Sequence, residues 1–415
     1  MGPGQGGITF FMRLLFLLPA FFLWGRHLQA QTPDSLIHEL KTIRGGVISN
    51  RAMNVFLSEA VGYYLSSIDD LTLYKNSVVA DAAEGSLAIY HNLRQAQGTD
   101  EPIGSFISIG AKANVADAFS AASDGRPYNN RFGFLLKKTW VGNARAGYSA
   151  GQQRTMEALR AGILHALEQE IRRKAADYET SLNAWDANEV PGQDLGAAKQ
   201  IARQKFNADL QAEYEFEFAR RQSEALARTF NYHVIAVNWT HLSLYIPLIT
   251  ENFSTSPDLA TEPVTRHAYP LHLNCNHTRL WEGSQFGRVF ASLAGDLTLN
   301  NSRDGYGLDK TDNLYTGDYR NFITPALQAQ AVYFPRNSHI GISLRLEQNF
   351  GSYSALNGRL GIPLVLINKK AEPAANFEFQ VRFFDLSDRL GPRKGLPGKT
   401  SIGLTMGIPF SKISF

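Results

Sequence analysis

Over most of the second half of the chain, apolar and polar residues alternate with a period of two. Tyr269, Leu271, Leu273 and Cys275 alternate with His272, Asn274 and Asn276, and Val289, Ala291, Leu293, Leu297 and Leu299 stand opposite Arg288, Ser292, Asp296 and Thr298. Ile323, Leu327, Ala329 and Tyr333 oppose Thr324, Gln328 and Gln330, and Ile340, Ile342, Leu344 and Leu346 oppose His339, Ser343, Arg345 and Glu347. Phe377, Phe379, Val381 and Phe383 then oppose Glu378, Gln380 and Arg382. Successive side chains of a strand leave on opposite faces, so each run predicts a strand with one apolar and one polar face. The last run has Ile402, Leu404, Met406, Ile408 and Phe410 on one face and Gly403, Thr405, Gly407 and Pro409 on the other. About ten residues rising ~3.3 Å each, tilted by ~45°, cross roughly 25 Å, the height of an outer-membrane apolar band.

Earlier segments repeat the pattern: Leu87 and Ile89, then Ile103, Ile107 and Ile109, then Phe132, Phe134 and Leu136 leading to Trp140. Val234 to Ile249 is another long strand, with Trp239 and Tyr245 read as interfacial anchors. Between Gly151 and about Arg228 the period changes. Met156, Leu159, Ile163, Leu167 and Ile171 recur at three- and four-residue spacing, and Leu195, Ala198, Ile201, Ala202 and Leu210 begin a second stripe after Pro191-Gly192. Two helices of roughly thirty residues, each about 45–50 Å long, are predicted to fold back as a polar, coiled-coil-like hairpin. Leu36 to Ile43 reads as a short helix, and Met53 to Leu65 as either a helix or a first strand.

Composition supports membrane-spanning strands over membrane-spanning helices. Apolar residues make up 44% of the 415 and charged ones only 19%, while Gly (35), Tyr (16) and Phe (26) are plentiful. A lumen face and a lipid face cancel in any sliding average, whereas a helical membrane protein would be more apolar. A net charge of +3 gives no reason to expect nucleic acid as a partner. At the N-terminus, Arg13, the apolar run Leu14 to Trp24 and the small Ala30 have the layout of an export signal. The expected organisation is therefore a signal peptide over 1–30, a mixed segment over 31–80, barrel strands over 81–150, the helical hairpin over 151–229 and further strands over 230–415.

Connection lengths also alternate. Counting back from the C-terminus, Ser387 to Lys399 is long and Lys369 to Ala374 short; Asn300 to Arg320 is long, Glu282 to Phe286 short and Glu251 to His267 long. About eleven strands are visible, and an even number predicts twelve, with one hidden before Asp81; ten and fourteen are the alternatives. In these features, namely the export signal, the strands from Tyr232 onward and the terminal run Ile402 to Phe410, the chain resembles bacterial outer-membrane β-barrel proteins as a class. The resemblance implies a transmembrane antiparallel barrel of about 12 strands, surrounded by outer-membrane lipid. It also implies a C-terminus on the periplasmic side. It further implies that the barrel-assembly machinery recognises the terminal strand Ile402, Leu404, Met406, Ile408 with Phe410 or Phe415. On the same count of strands the hairpin falls on the periplasmic side, and one further strand would reverse this; the hairpin would dock a periplasmic or surface protein partner.

For chemistry, the inward-pointing candidates are His272, Arg288, Asp296, Arg345, Glu347, Glu378 and Arg382. Charges inside a barrel require pairing or water, so two readings stand: a salt-bridged closed lumen, or a wet channel whose charges select solutes. No Gly-x-Ser-x-Gly elbow is present, Cys275 and His272 fall on opposite faces, and Cys275 is the one cysteine. Asp304, Asp309, Asp312 and Asp318 share a loop but lack an ordered calcium-ligand spacing. Neither catalysis nor a cofactor or metal is expected. The role read from sequence is structural, binding or envelope assembly, with a porin-like channel and an outer-membrane hydrolase as the alternatives.

Overall fold

A computed structural model describes residues 32–42, 47–62, 76–81, 86–93, 104–114, 132–185, 194–248, 251–269, 271–302, 308–311, 314–351, 354–368, 373–389 and 400–410. The proposed export signal, Phe415, Asp304 and Asp312 lie outside them. Strands β1 (Asn76–Asp81), β2 (Ser86–Asn92), β3 (Ser105–Asn114), β4 (Phe132–Val141), β6 (Val234–Pro247), β9 (His272–Gly283), β10 (Gly287–Asn301), β13 (Asn321–Pro335), β14 (Ile342–Asn349), β15 (Leu356–Ile367), β16 (Pro373–Phe383) and β17 (Thr400–Phe410) form one antiparallel sheet. It closes on itself. β17 pairs β1 with Asn76 opposite Phe410 and Asp81 opposite Thr405, and β4 pairs β6 with Trp140 opposite Thr240. Among the described residues this makes a closed 12-strand barrel. The strand hidden before Asp81 is β1. A short β5 (Arg145–Gly147) adds to the edge of β6.

Burial follows the alternation. Ile402 is 83% exposed and its neighbours Gly403 and Thr405 are buried, so the closing strand turns its apolar stripe outward and its small residues inward. Leu293, Leu297, Ile323, Leu327, Ile342, Leu344, Leu346, Leu360, Ile362 and Phe379 are likewise exposed on successive strands. On the opposite flank, Phe132, Phe134, Leu136 and Trp140 of β4 continue the same apolar exterior. Among the described residues no helix is long and apolar enough to cross a membrane, and the strands carry the apolar surface instead. Such a band is compatible with lipid and not with water. Gly287 sits in the tight β9–β10 turn at φ +99°, a conformation in which a Cβ would meet the backbone of Phe334 and Pro335.

Two further sets of elements complete the barrel unit. Helix α2 (Asn50–Gly62) starts at Ser49, whose hydroxyl accepts from the Ala52 amide at 3.2 Å and whose own amide donates to Gln222 Oε1 at 3.0 Å. Of the segment Met53 to Leu65, read as helix or strand, the part up to Gly62 is helix, and the remainder lies outside the described residues. In the long connections, β7 (Glu251–Ser256), β8 (Val264–Ala268), β11 (Asp309–Thr311) and β12 (Leu314–Thr316) form a second, four-stranded sheet that the sequence reading missed. Phe253 packs edge-on against Tyr315 at 5.7 Å and lies 5.6 Å from Tyr319, tying the two connections together.

The insertion between β5 and β6 consists of α3 (Ala150–Asn183) and α4 (Leu195–Thr229). Residues 166–215 form a second compact unit with α1 (Pro33–Thr42). Leu167, Ile171, Leu182, Leu210 and Tyr214 of this unit are buried, as are Leu36, Ile37 and Leu40. Tyr178 stacks on Phe206 at 3.9 Å, Glu179 binds Arg203 at 2.8 Å, and α1 is held by Lys41–Glu168 at 2.7 Å and Asp34–Arg172 at 2.9 Å. Ile201, expected on the apolar stripe, is 64% exposed; Ala198 and Leu210 carry the contact, a narrower stripe than the spacing suggested.

In the part of α4 that belongs with the barrel, Glu217 accepts from Arg220 Nη2 at 2.6 Å and from Arg221 Nε at 2.7 Å. These hydrogen bonds, Arg220's first, hold its carboxyl down at about 2. A lowered carboxyl stabilises the fold above the ordinary value near 4.5, and that stabilisation is lost as pH falls toward about 2. Because these helix-surface pairs are partly exposed, the loss is expected to be below ~1 kcal/mol. Acid titration of thermal stability should show a step in the native chain that is missing in Glu217→Gln; identical profiles would remove the effect.

Candidate functional site

The polar faces of the strands enclose the lumen, and they divide it into two zones. At the end where β6 begins and β10 starts, the inward residues are apolar: Ile235, Val237 and Trp239 of β6, Leu280 of β9, Phe290 of β10, Val332 and Phe334 of β13, and Val365 of β15. They form one core with Val79, Tyr90 and Phe106 of β1–β3 and with Ala52, Met53, Phe56, Leu57, Ala60 and Val61 of α2. Phe56 meets Tyr232 edge-on at 6.0 Å. Met156, Ala219 and Leu226 from the adjoining parts of α3 and α4 join the same core. Helix α2 therefore packs its apolar face against the inward residues of the strands at this end, the plug zone of the lumen. Trp239 belongs to this core at 2% exposure and is no interfacial anchor. Odd positions of β6 point inward, so Tyr245 shares that face.

A charged pair lies in the plug zone. Glu282 is buried at 3% exposure and binds Arg288 directly across from it on β10. Isolated, either charge would be very costly there. Toward the other end the lumen is polar. Asp296, 4% exposed, accepts from His272 Nε2 at 2.8 Å, from Asn274 Nδ2 at 2.6 Å and from Gln328 Nε2 at 2.6 Å, while His241 contacts Asn274 Oδ1 at 3.0 Å. This network satisfies a buried carboxylate and fixes the His272 ring; among the described residues no hydroxyl or thiol hydrogen-bonds His272. Cys275 is exposed on the apolar exterior.

Glu378 is fully buried, takes a hydrogen bond from Ser343, and fits because Gly361 has no Cβ to collide with its Oε1. Arg345, Arg359 and Arg382 stand directly across from one another on β14, β15 and β16. Arg345 Nη2 reaches Glu347 Oε2 at 3.4 Å, Asn357 Nδ2 reaches Glu347 Oε1 at 3.3 Å, and Arg382 Nε donates to Gln380 Oε1 at 3.1 Å. The inward candidates His272, Arg288, Asp296, Arg345, Glu347, Glu378 and Arg382 all line the lumen, but they do not gather into one site. Arg288 serves the plug zone, Asp296 and His272 one polar cluster, and Arg345, Glu347 and Arg382 a row on β14 and β16 whose Arg345 lies close enough to attract the Asp296 carboxylate. Arg359, which the sequence reading passed over, stands in the middle of that row. Asp318 pairs with Arg320 at 3.2 Å in an exposed loop, and no group of residues with metal-ligand geometry occurs among the described residues.

No family model and no curated protein matches the chain. Its fold is similar to the NanC porin (5% identity, 81% of this chain and 99% of the other, TM-score 0.29). It is also similar to the β domain of the Bordetella autotransporter BrkA (8% identity, 81% and 96%, TM-score 0.28). A third likeness is to OmpT, an outer membrane protein of Vibrio cholerae (7% identity, 81% and 95%, TM-score 0.21). A closed 12-strand antiparallel barrel with an apolar exterior and a charged interior has the architecture of a membrane-spanning β-barrel, the fold found in bacterial outer-membrane proteins.

Proposed function

We propose that this outer-membrane barrel is a closed binding scaffold, not an open pore or an enzyme, with its helical insertion as the docking arm for a periplasmic protein. The observation that supports closure most is helix α2, whose Phe56 and Leu57 are buried in the same core as the inward residues of β1–β3, β6, β9, β10, β13 and β15. The insertion leaves the barrel from the end that carries Asn76 and Phe410, because β4 ends and β6 begins there. In barrels of this class that end faces the periplasm. The opposite end carries the four-stranded sheet of the long connections and would face the exterior.

Conductance tests the closed reading. The full chain in a planar bilayer is expected to give no sustained current, and a steady open-state current would defeat it in favour of the porin-like alternative. The arm is tested by crosslinking in intact cells with and without residues 151–228. A periplasmic partner lost with the deletion is expected; an unchanged set of crosslinks would remove the docking role.

A further inference from the structure

We propose that the outside of the barrel, at the end that carries Asn76 and Phe410, binds the headgroup of an anionic phospholipid through Arg145, Arg279 and Lys138. The site depends on neither closure of the lumen nor the docking arm. Residues directly opposite across paired strands share a face, so register fixes which side chains point out. Arg145 of β5 stands opposite Ala236 of β6, and Ala236 opposite Trp281 of β9. The neighbouring Ala146 packs against the inner core, which turns Arg145 outward. The next outward pair is Asn238 with Arg279. Thr240 then stands between His277 and Trp140, and Lys138 follows on β4 opposite Leu242. Arg145 and Lys138 thus lie along one edge of β6 and Arg279 along the other.

The cluster contrasts with the rest of the wall. On β10, β13, β14, β15, β16 and β17 no outward position carries a charge. Arg145 and Arg279 are exposed and Lys138 is half-buried. Among the described residues none of the three has a carboxylate partner. Lys138 Nζ donates to Ser105 Oγ at 3.1 Å, and Ser105 stands opposite Trp140, one outward pair nearer the rim. The Arg279 guanidinium lies 5.0 Å from the centre of the Trp281 ring, again on the rim side. Both side chains lean toward the same end, as cations do when they reach from lipid to the headgroup layer. Trp140, 46% exposed, and Trp281 are amphipathic rings suited to that layer.

The matching anion comes from the bilayer. Among the described barrel strands no outward position holds an Asp or Glu. A second copy seated wall to wall would therefore set cation against cation. A phospholipid offers phosphate oxygens to the arginine forks. Its acyl chains would lie on the exposed Leu242 and Leu293, which continue the apolar wall beyond the cluster.

The test is native mass spectrometry of the full-length protein in nonionic detergent, with equal amounts of dioleoylphosphatidylglycerol and dioleoylphosphatidylcholine added. Preferential retention of phosphatidylglycerol is expected. Arg145→Gln and Arg279→Gln should each lower that preference about fivefold. Arg279→Lys, which keeps the charge and loses the fork, should lower it less. Arg320→Gln, which removes an exposed loop cation away from the cluster, should leave it unchanged. Folding of each variant is verified by its heat-dependent shift on gels. Equal retention of both lipids by the native chain would overturn the proposal, as would an undiminished preference in both wall glutamine variants. A lipid-free protein dimer that dissociates in Arg279→Gln would overturn it in favour of a second copy.

Discussion

Replacing Leu57 by aspartate in the full chain is expected to turn a silent barrel into a conducting one. Leu57 is 1% exposed, in a core of apolar side chains from α2, the strands and the inner parts of α3 and α4. A carboxylate placed there without a partner costs several kcal/mol, more than one face of a thirteen-residue helix can offset. The wall does not depend on α2 for its hydrogen bonds, which run strand to strand around the ring. The helix should therefore leave while the barrel stays. In planar bilayers, Leu57→Asp is expected to give stepwise currents and Leu57→Met none. A folded Leu57→Asp barrel that remained silent would mean that α2 is not what closes the lumen.

The largest stability loss is expected at the buried pair. Arg288→Ala leaves Glu282 with its charge in the plug zone, next to Leu280, Phe290 and Phe334. Breaking a buried pair from one side typically costs about 3–5 kcal/mol. Urea unfolding in lipid vesicles should show that loss as a lowered midpoint. The double change Glu282→Leu with Arg288→Met should recover most of it, since an apolar pair of similar volume removes the stranded charge. A loss under ~1 kcal/mol in Arg288→Ala would show that water reaches Glu282.

Much of the barrel was legible because lipid and lumen impose opposite demands on alternate residues. Leu293 and Arg288, or Phe379 and Glu378, could be sorted to their faces by period alone. β1 was not legible, since six residues with a single Val78-Val79 core are too few to show a period. The plug left a signal that was misread. Ile235, Val237 and Trp239 share one face of β6, and Phe290, Val332, Phe334 and Val365 occupy the face that elsewhere carries charge. A lumen face that turns apolar at one end needs something apolar to cover it. The spacing of Met53, Phe56, Leu57, Ala60 and Val61 supplied the cover, but over thirteen residues a helix and a strand compete. The arginine row was invisible for another reason: its three members are far apart in sequence, and only the register across strands brings them together.

The pairing of Asn76 with Phe410 also governs when the protein can exist. Until Thr400–Phe410 has been made, β1 and β16 are bare edges, and neighbouring chains can add to either one. The contact that ends this exposure joins residues separated by most of the polypeptide, which makes it slow to find unaided. A truncation that removes the closing strand should consequently act less like a weakened barrel than like an open sheet seeking partners, and its fate should depend on how the cell escorts unclosed chains to the membrane.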